Sequence, residues 1–215
     1  MKKLGILSLV MAAAVAFCAY TGVKTKASYT DMLHTDDISQ YKIMVASSPN
    51  IMAAPLVDYR EALIILKVKF TGNRFFADRS LLSEVKILHV YRGALKPGEN
   101  ILIHEAVGMF PHDKQAVSYQ ITNLMNTKDI YYAFLKEIPY PEGYVPKQVE
   151  YIPANLGFSV LRVTDEPNLI ESDPDKNRKT IAALEPYEFV CTSKEELDEM
   201  IALKHQLFDE LGLPY

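Results

Sequence analysis

The chain has no tryptophan and only two cysteines among its 215 residues. Cys18 falls in the first apolar stretch, so Cys191 stands alone beyond it and no intramolecular disulfide can form once that stretch is removed. The fold must then stand on a hydrophobic core without covalent staples. Signature motifs are missing as well. No Gly-x-Ser-x-Gly occurs, which would seat a serine nucleophile on a strand-to-helix elbow. No HExxH occurs either: His104-Glu105 begins one, but Gly108 stands where the second histidine is needed. No stretch carries a cofactor motif, and no internal repeat is present. Basic residues are in deficit, with 23 Lys and Arg against 27 Asp and Glu, a formal charge of −4.

What is present begins with an address. Met1-Lys2-Lys3 precedes the apolar run Leu4 to Ala19, broken only by Gly5 and Ser8, and a small, polar stretch follows. That is the layout of a secretory signal peptide, and the run is short for a membrane span. Cleavage is expected after Thr25-Lys26-Ala27, giving a leader over residues 1–27. The alternatives are an uncleaved amino-terminal anchor, a lipid anchor on Cys18 and a buried cytosolic helix. Phe17 is too large for the small residue that lipoprotein processing wants before its cysteine. Loss of the leader takes four lysines and no acidic residue, which moves the formal charge from −4 to −8. An acidic balance of that size disfavours phosphate-backbone binding, so nucleic acid is not an expected partner. The location expected is secreted or extracytoplasmic cell envelope, with membrane contact only through the leader.

Residues 28–61 read as an extension holding a short strand at Tyr41 to Ala46, a helical turn opened at Asp36-Asp37-Ile38-Ser39, and a second turn after Pro55. Ala62 to Phe70 is a strand with Ile64, Leu66, Val68 and Phe70 on one face. Thr71 to Arg74 breaks that pattern, and Phe75-Phe76 reads as a loop with aromatic anchors. Leu81 to Arg92 and Ile101 to Glu105 form a hairpin, with Pro97 and Gly98 supplying a type II turn at Lys96 to Glu99. In its first arm Val85, Ile87, His89 and Tyr91 share a face. Ala106 to Lys128 reads as a long irregular segment, Ile130 to Lys136 as a strand, Phe158 to Thr164 as another and Tyr187 to Thr192 as a last one. The chain closes on a helix over 193–212, capped by Ser193 with Glu196 in a reciprocal capping box and stopped by Gly212 and Pro214. Leu197, Met200, Ile201, Leu207, Phe208 and Leu211 make its apolar stripe.

Five or six strands, mostly antiparallel, with a long connection after the third and a carboxy-terminal helix, predict a mainly β fold. The expected architecture is a small OB-like antiparallel barrel over residues 62–192 with the helix packed on it. The pattern Val85-Lys-Ile-Leu-His-Val-Tyr-Arg-Gly, the Lys96-Pro-Gly-Glu turn, Ile101-Leu-Ile and Ile130-Tyr-Tyr-Ala-Phe-Leu resembles that of exported bacterial proteins similar to netrin-like, or TIMP-like, barrels. What the resemblance implies is a fold. The animal inhibitors of this type act through an amino-terminal cysteine and are held by disulfides, and neither feature is carried over to this chain.

Candidate chemistry is sparse. Asp173, Asp175 and Asn177 match the first, third and fifth ligand positions of a calcium loop, but Arg178 replaces the turn glycine and Leu184 the bidentate glutamate, so a solvated acidic loop is the competing reading. His34 with Asp36 and Asp37, and the His112-Asp113 pair, are half-sites for metal or acid–base work. Cys191 reads as a buried structural thiol. Tyr140, Tyr144 and Tyr151 sit in a stiff proline-rich stretch and offer flat faces to a sugar ring or an extended peptide, or else pack the loop onto the barrel. The expectation is a non-enzymatic module binding a protein or glycan partner in the cell envelope, without a cofactor. The alternatives are a secreted hydrolase with a dispersed active site and a structural or inhibitory module.

Overall fold

The protein divides into two units, Met1–Asp37 and Ile38–Tyr215. The computed structural model describes residues 38–45, 62–77, 80–118, 122–140, 149–155, 158–165, 167–171 and 178–215, all within the second unit. The leader, His34, Asp36, Asp37, the turn after Pro55, Tyr144, Asp173, Asp175 and Asn177 lie outside the described residues.

That unit is mainly β, built on a large mixed sheet with a long carboxy-terminal helix. Its strands are β1 (Lys42–Val45), β2 (Ile64–Ala77), β3 (Ser80–Arg92), β4 (Asn100–Phe110), β5 (Gln115–Ser118), β6 (Tyr131–Glu137), β7 (Glu150–Pro153) and β8 (Val160–Arg162). A separate pair, β9 (Leu169–Ile170) and β10 (Val190–Cys191), runs parallel. The helices are α1 (Ile181–Leu184) and α2 (Lys194–Leu211). No helix among the described residues is long and apolar enough to cross a membrane.

Successive antiparallel pairings join β2 to β3 and β3 to β4. Strand β4 then pairs in parallel with β7, β7 pairs antiparallel with β6, and β6 pairs antiparallel with β2. These five strands therefore form a closed cycle of hydrogen-bonded neighbours. Strand β1 joins through β5 in parallel, so the sheet is mixed where the sequence led to an antiparallel one.

Alternation explains the layering. Ile64, Leu66, Val68 and Phe70 of β2 meet Val85, Ile87, Ile101, Ile103, Tyr131, Ala133, Leu135 and Tyr151 in one core. The intervening Ile65, Tyr132 and Phe134 turn the other way, onto Met200, Leu207 and Phe208 of α2. Strand β6 is thus covered on both faces, and its unbroken apolar run follows from that. A third core gathers Tyr41, Ile43, Leu81, Val107, Met109 and Ala116 under α1. Ser193 accepts from the Glu196 N–H as its sequence predicts, but the Glu196 carboxylate reaches one residue further back than a reciprocal capping box requires and accepts from the Thr192 N–H and hydroxyl. Gly212 takes the left-handed φ of 63° that favours glycine.

Several strand boundaries depart from the sequence reading. Strand β2 does not break at Thr71 but continues to Ala77, because a register shift between Phe70 and Arg74 absorbs the polar residues. Phe75 and Phe76 are therefore strand residues. Ala106 to Phe110 extend β4, and Gln115–Ser118 form β5, inside the stretch that reads as irregular. A further shift lies between Lys67, opposite His89, and Val68, opposite Ile87. The extra residue turns His89 away from the core that holds Val85 and Ile87, so these three do not share a face.

Candidate functional site

Three polar constellations are built on this frame, and the most exposed is the outer side of β2 and β3. Buried Val68, Phe70, Val85 and Ile87 fix which side faces inward, which sends Lys67, Lys69 and Lys86 outward. Lys69 stands directly opposite Lys86, and Lys67 directly opposite His89. Among the described residues no carboxylate forms an ion pair with any of the three lysines. Beside them is an aromatic row: His89 meets Tyr91 edge-on at 4.5 Å, and Tyr91 meets Tyr132 edge-on at 5.6 Å. The Lys67 ammonium lies 5.7 Å from the Tyr132 ring centre. Tyr132 is buried behind this face, where burial raises its phenol and its hydroxyl donates to the Pro214 carbonyl. His89 and Tyr91 are exposed. Cations beside an accessible aromatic ring can hold a ligand that is flat on one side and anionic on another.

The second constellation lies further along the outer side of β3 and β4. The Ser80 hydroxyl is 3.1 Å from His104 Nδ1, and His104 Nε2 is 2.9 Å from Glu150 Oε2. All three side chains are partly open to solvent. The next residue, Glu105, points to the opposite side and is buried, where it accepts from the Ser83 hydroxyl, Arg74 Nε at 3.2 Å and the Met125 N–H at 3.0 Å. Strand alternation therefore separates the two halves of the incomplete HExxH.

The third is internal. Lys204 of α2 is fully buried, and its ammonium donates to Glu188 Oε2 at 2.8 Å and to the Thr164 carbonyl at 2.6 Å, and pairs with Asp165 Oδ1 at 3.1 Å. Glu188 Oε1 accepts from the Arg162 backbone N–H at 2.7 Å. Burial pushes the Glu188 carboxyl up to about 7, although the Lys204 ammonium and the Arg162 contacts pull it back. Burial also raises Asp165, but the hydrogen bonds and charges of His205 and Lys204 outweigh it and leave that carboxyl below its ordinary range. Arg162 is buried too, and its guanidinium donates to the carbonyls of Glu185, Tyr187 and Pro186 and pairs with Asp129. Lys204, Glu188 and Arg162 are buried and paired, while their partners Asp165 and Asp129 keep about a third of their side-chain surface, which is the chemistry of a structural lock at the edge of the core.

The residues singled out from sequence do not converge. Tyr140 is half-buried beyond the end of β6. Tyr151 is a β7 strand residue only 4% exposed, and burial raises its phenol, so it presents no face to a ligand. His112 and Asp113 are exposed on a 3-10 turn. Cys191 is buried at the start of the cap of α2, and burial carries its thiol up to about 12, as suits an inert side chain. Among the described residues no group of three or more His, Cys, Asp or Glu could hold a metal ion. Sequence reasoning missed the lysine face because the register that opposes Lys69 to Lys86 is set by bulges. It missed Ser80 because nothing local joins it to His104. No protein-family model and no curated protein matches the chain.

Proposed function

We propose that this protein is an exported OB-type barrel module that binds an anionic glycan of the cell envelope through the outer side of β2 and β3. Export rests on the leader-like amino terminus. The barrel reading is supported by the closed cycle β2-β3-β4-β7-β6, in which the third and last strands pair in parallel, and by the netrin-like strand pattern.

The observation that carries the binding reading is Lys69 facing Lys86. Like charges directly across a strand pair repel. This pair lies beside Lys67 on a chain of net negative charge. Glu84, two residues before Lys86 on β3, is engaged by the Thr71 hydroxyl and the Asn73 side-chain amide, and among the described residues no ion pair joins a carboxylate to these lysines. An anionic ligand removes that repulsion, and exposed Tyr91 and His89 supply flat surfaces for a sugar ring. A glycan is favoured over an acidic protein because charge and aromatic surface lie side by side within a few residues.

The test is calorimetric titration of the full chain with polygalacturonate, with dextran as the neutral control. Binding to polygalacturonate that weakens with salt, and falls at least tenfold in Lys69→Gln/Lys86→Gln and in Tyr91→Ala, is the expected result. Equal binding to dextran, or binding untouched by these substitutions, overturns the reading. Failure to bind either polymer, with a protein partner captured on the same residues, transfers the face to protein recognition.

A further inference from the structure

We propose that Ser80, His104 and Glu150 act as nucleophile, base and positioning carboxylate in the hydrolysis of a carboxylic ester. The proposal uses residues separate from the lysine face and stands or falls without it. Glu150 Oε2, 2.9 Å from His104 Nε2, accepts from that nitrogen, and in the neutral ring Nδ1 is then the acceptor. Nδ1 lies 3.1 Å from the Ser80 hydroxyl, within reach of its proton. The order serine, imidazole, carboxylate is that of the serine-hydrolase triad, with the two ring nitrogens exchanged.

The three side chains are seated on paired strands. Leu82 pairs with His104, and Leu102 pairs with Glu150, so imidazole and carboxylate lie on one side of the sheet with these two buried leucines, and the Ser80 hydroxyl reaches the same side. A register shift between Ser80 and Leu81 sets Ser80 opposite Gly108 while Leu81 faces Glu105. Such bulges re-aim side chains and recur beside active sites. The imidazole retains 20% of its side-chain surface and the Glu150 carboxylate 28%, so a ligand can reach both. On the same surface exposed Phe75 pairs with Leu82, which gives an apolar acyl chain something to lie on.

In the first step the Ser80 oxygen bonds to the ester carbonyl carbon and its proton passes to His104 Nδ1. The carbon–alkoxy bond breaks, and the alcohol leaves with that proton. Water then adds to the acyl-serine, giving its proton to Nδ1, and the carboxylic acid departs as Ser80 regains a proton. Ester and water yield acid and alcohol, with no oxidant or cofactor.

The experiment treats the full chain with a fluorophosphonate probe, locates the adduct by mass spectrometry and follows p-nitrophenyl butyrate hydrolysis against pH. The adduct should fall on Ser80, at a rate that rises with pH as the imidazole loses its proton. His104→Gln should slow labelling and hydrolysis by about 10²–10⁴-fold. Glu150→Gln should slow both, and Glu150→Asp should recover part of the rate, a rescue that loss of packing alone does not produce. Absence of an adduct on Ser80 in the folded wild-type chain overturns the proposal, as does labelling indifferent to pH and to His104→Gln. Hydrolysis that persists in folded Ser80→Ala does the same. Should Ser80→Ala not fold, the wild-type adduct and its pH profile still decide.

Discussion

Lys204 Nζ lies 2.8 Å from Glu188 Oε2, with the lysine side chain wholly buried and the glutamate 2% exposed. The ammonium also lies 5.9 Å from the Phe189 ring centre and 5.7 Å from that of Phe208. One ion pair therefore ties the long helix to the chain just before β10, inside an aromatic shell.

Removing one partner of a buried pair leaves an uncompensated charge, which costs about 3–5 kcal/mol. Lys204→Ala is expected to lose stability in that range by urea unfolding. Lys204→Met/Glu188→Leu, which removes both charges and keeps the volume, should recover most of it. If the single and the double variant lose equally, packing rather than charge is what the site supplies.

The pH dependence has a definite sign. Glu188 ionises near 4.5 when unfolded and near 7 when folded, so between those values the folded chain holds the proton that the unfolded one has released. Stability contributed by this group is therefore greatest below about 4.5 and is lost as the pH rises toward 7. Asp165, shifted downward, acts oppositely and loses its contribution as the pH falls. Comparison with Glu188→Gln isolates the first effect. Relative to that variant, the wild type should lose up to about 3 kcal/mol between pH 5 and 7.5, since each pH unit separating the folded and unfolded midpoints is worth about 1.4 kcal/mol. Parallel stability curves would contradict the assignment.

Arg162 joins three carbonyls of the Glu185–Tyr187 segment to Asp129. A lysine keeps the charge but lacks the planar fork that reaches them together. Arg162→Lys should therefore destabilise by about 3 kcal/mol, from two hydrogen bonds to a charged donor at about 1.5 kcal/mol each. Hydrogen exchange should rise first in residues 185–189.

Lys86→Glu turns a repulsive cross-strand pair into an attractive one. It should raise stability by about 0.2–1 kcal/mol in thermal unfolding while abolishing polygalacturonate binding. A variant that is less stable, or that binds as before, would remove the link between the opposed lysines and the ligand.

Local signals were legible in the sequence and long-range ones were not. The cap of the long helix depends on Ser193, Glu196 and Gly212, all within that segment, and the alternation in Tyr131 to Leu135 is carried by neighbours in the chain. Lys204 was illegible because a lysine between Met200 and Leu207 reads as a solvated position, and its partner lies 16 residues away on another element. Thr71 to Arg74 looked like a turn because polar residues at a bulge and at a loop have the same composition. Tyr151 looked like a loop residue because Pro146 and Pro153 flank it, yet Pro153 ends a strand facing Leu135. The Ser80, His104 and Glu150 row spans three strands and required a register that no periodicity encodes.

The adjacency of His104 and Glu105 on β4 also bears on how the chain finds its register during folding. That strand is measured against three others at once, with β3 along one edge and β7 and β5 in turn along the other. A slip by one residue would carry Glu105 to the solvent side and press His104 against Ser83, Arg74 and the Met125 amide, stranding a guanidinium in the interior. Mispaired β4 is thus penalised at every neighbour together. A one-residue slip would therefore cost the Glu105 carboxylate its three donors on top of misplacing the apolar residues of β4.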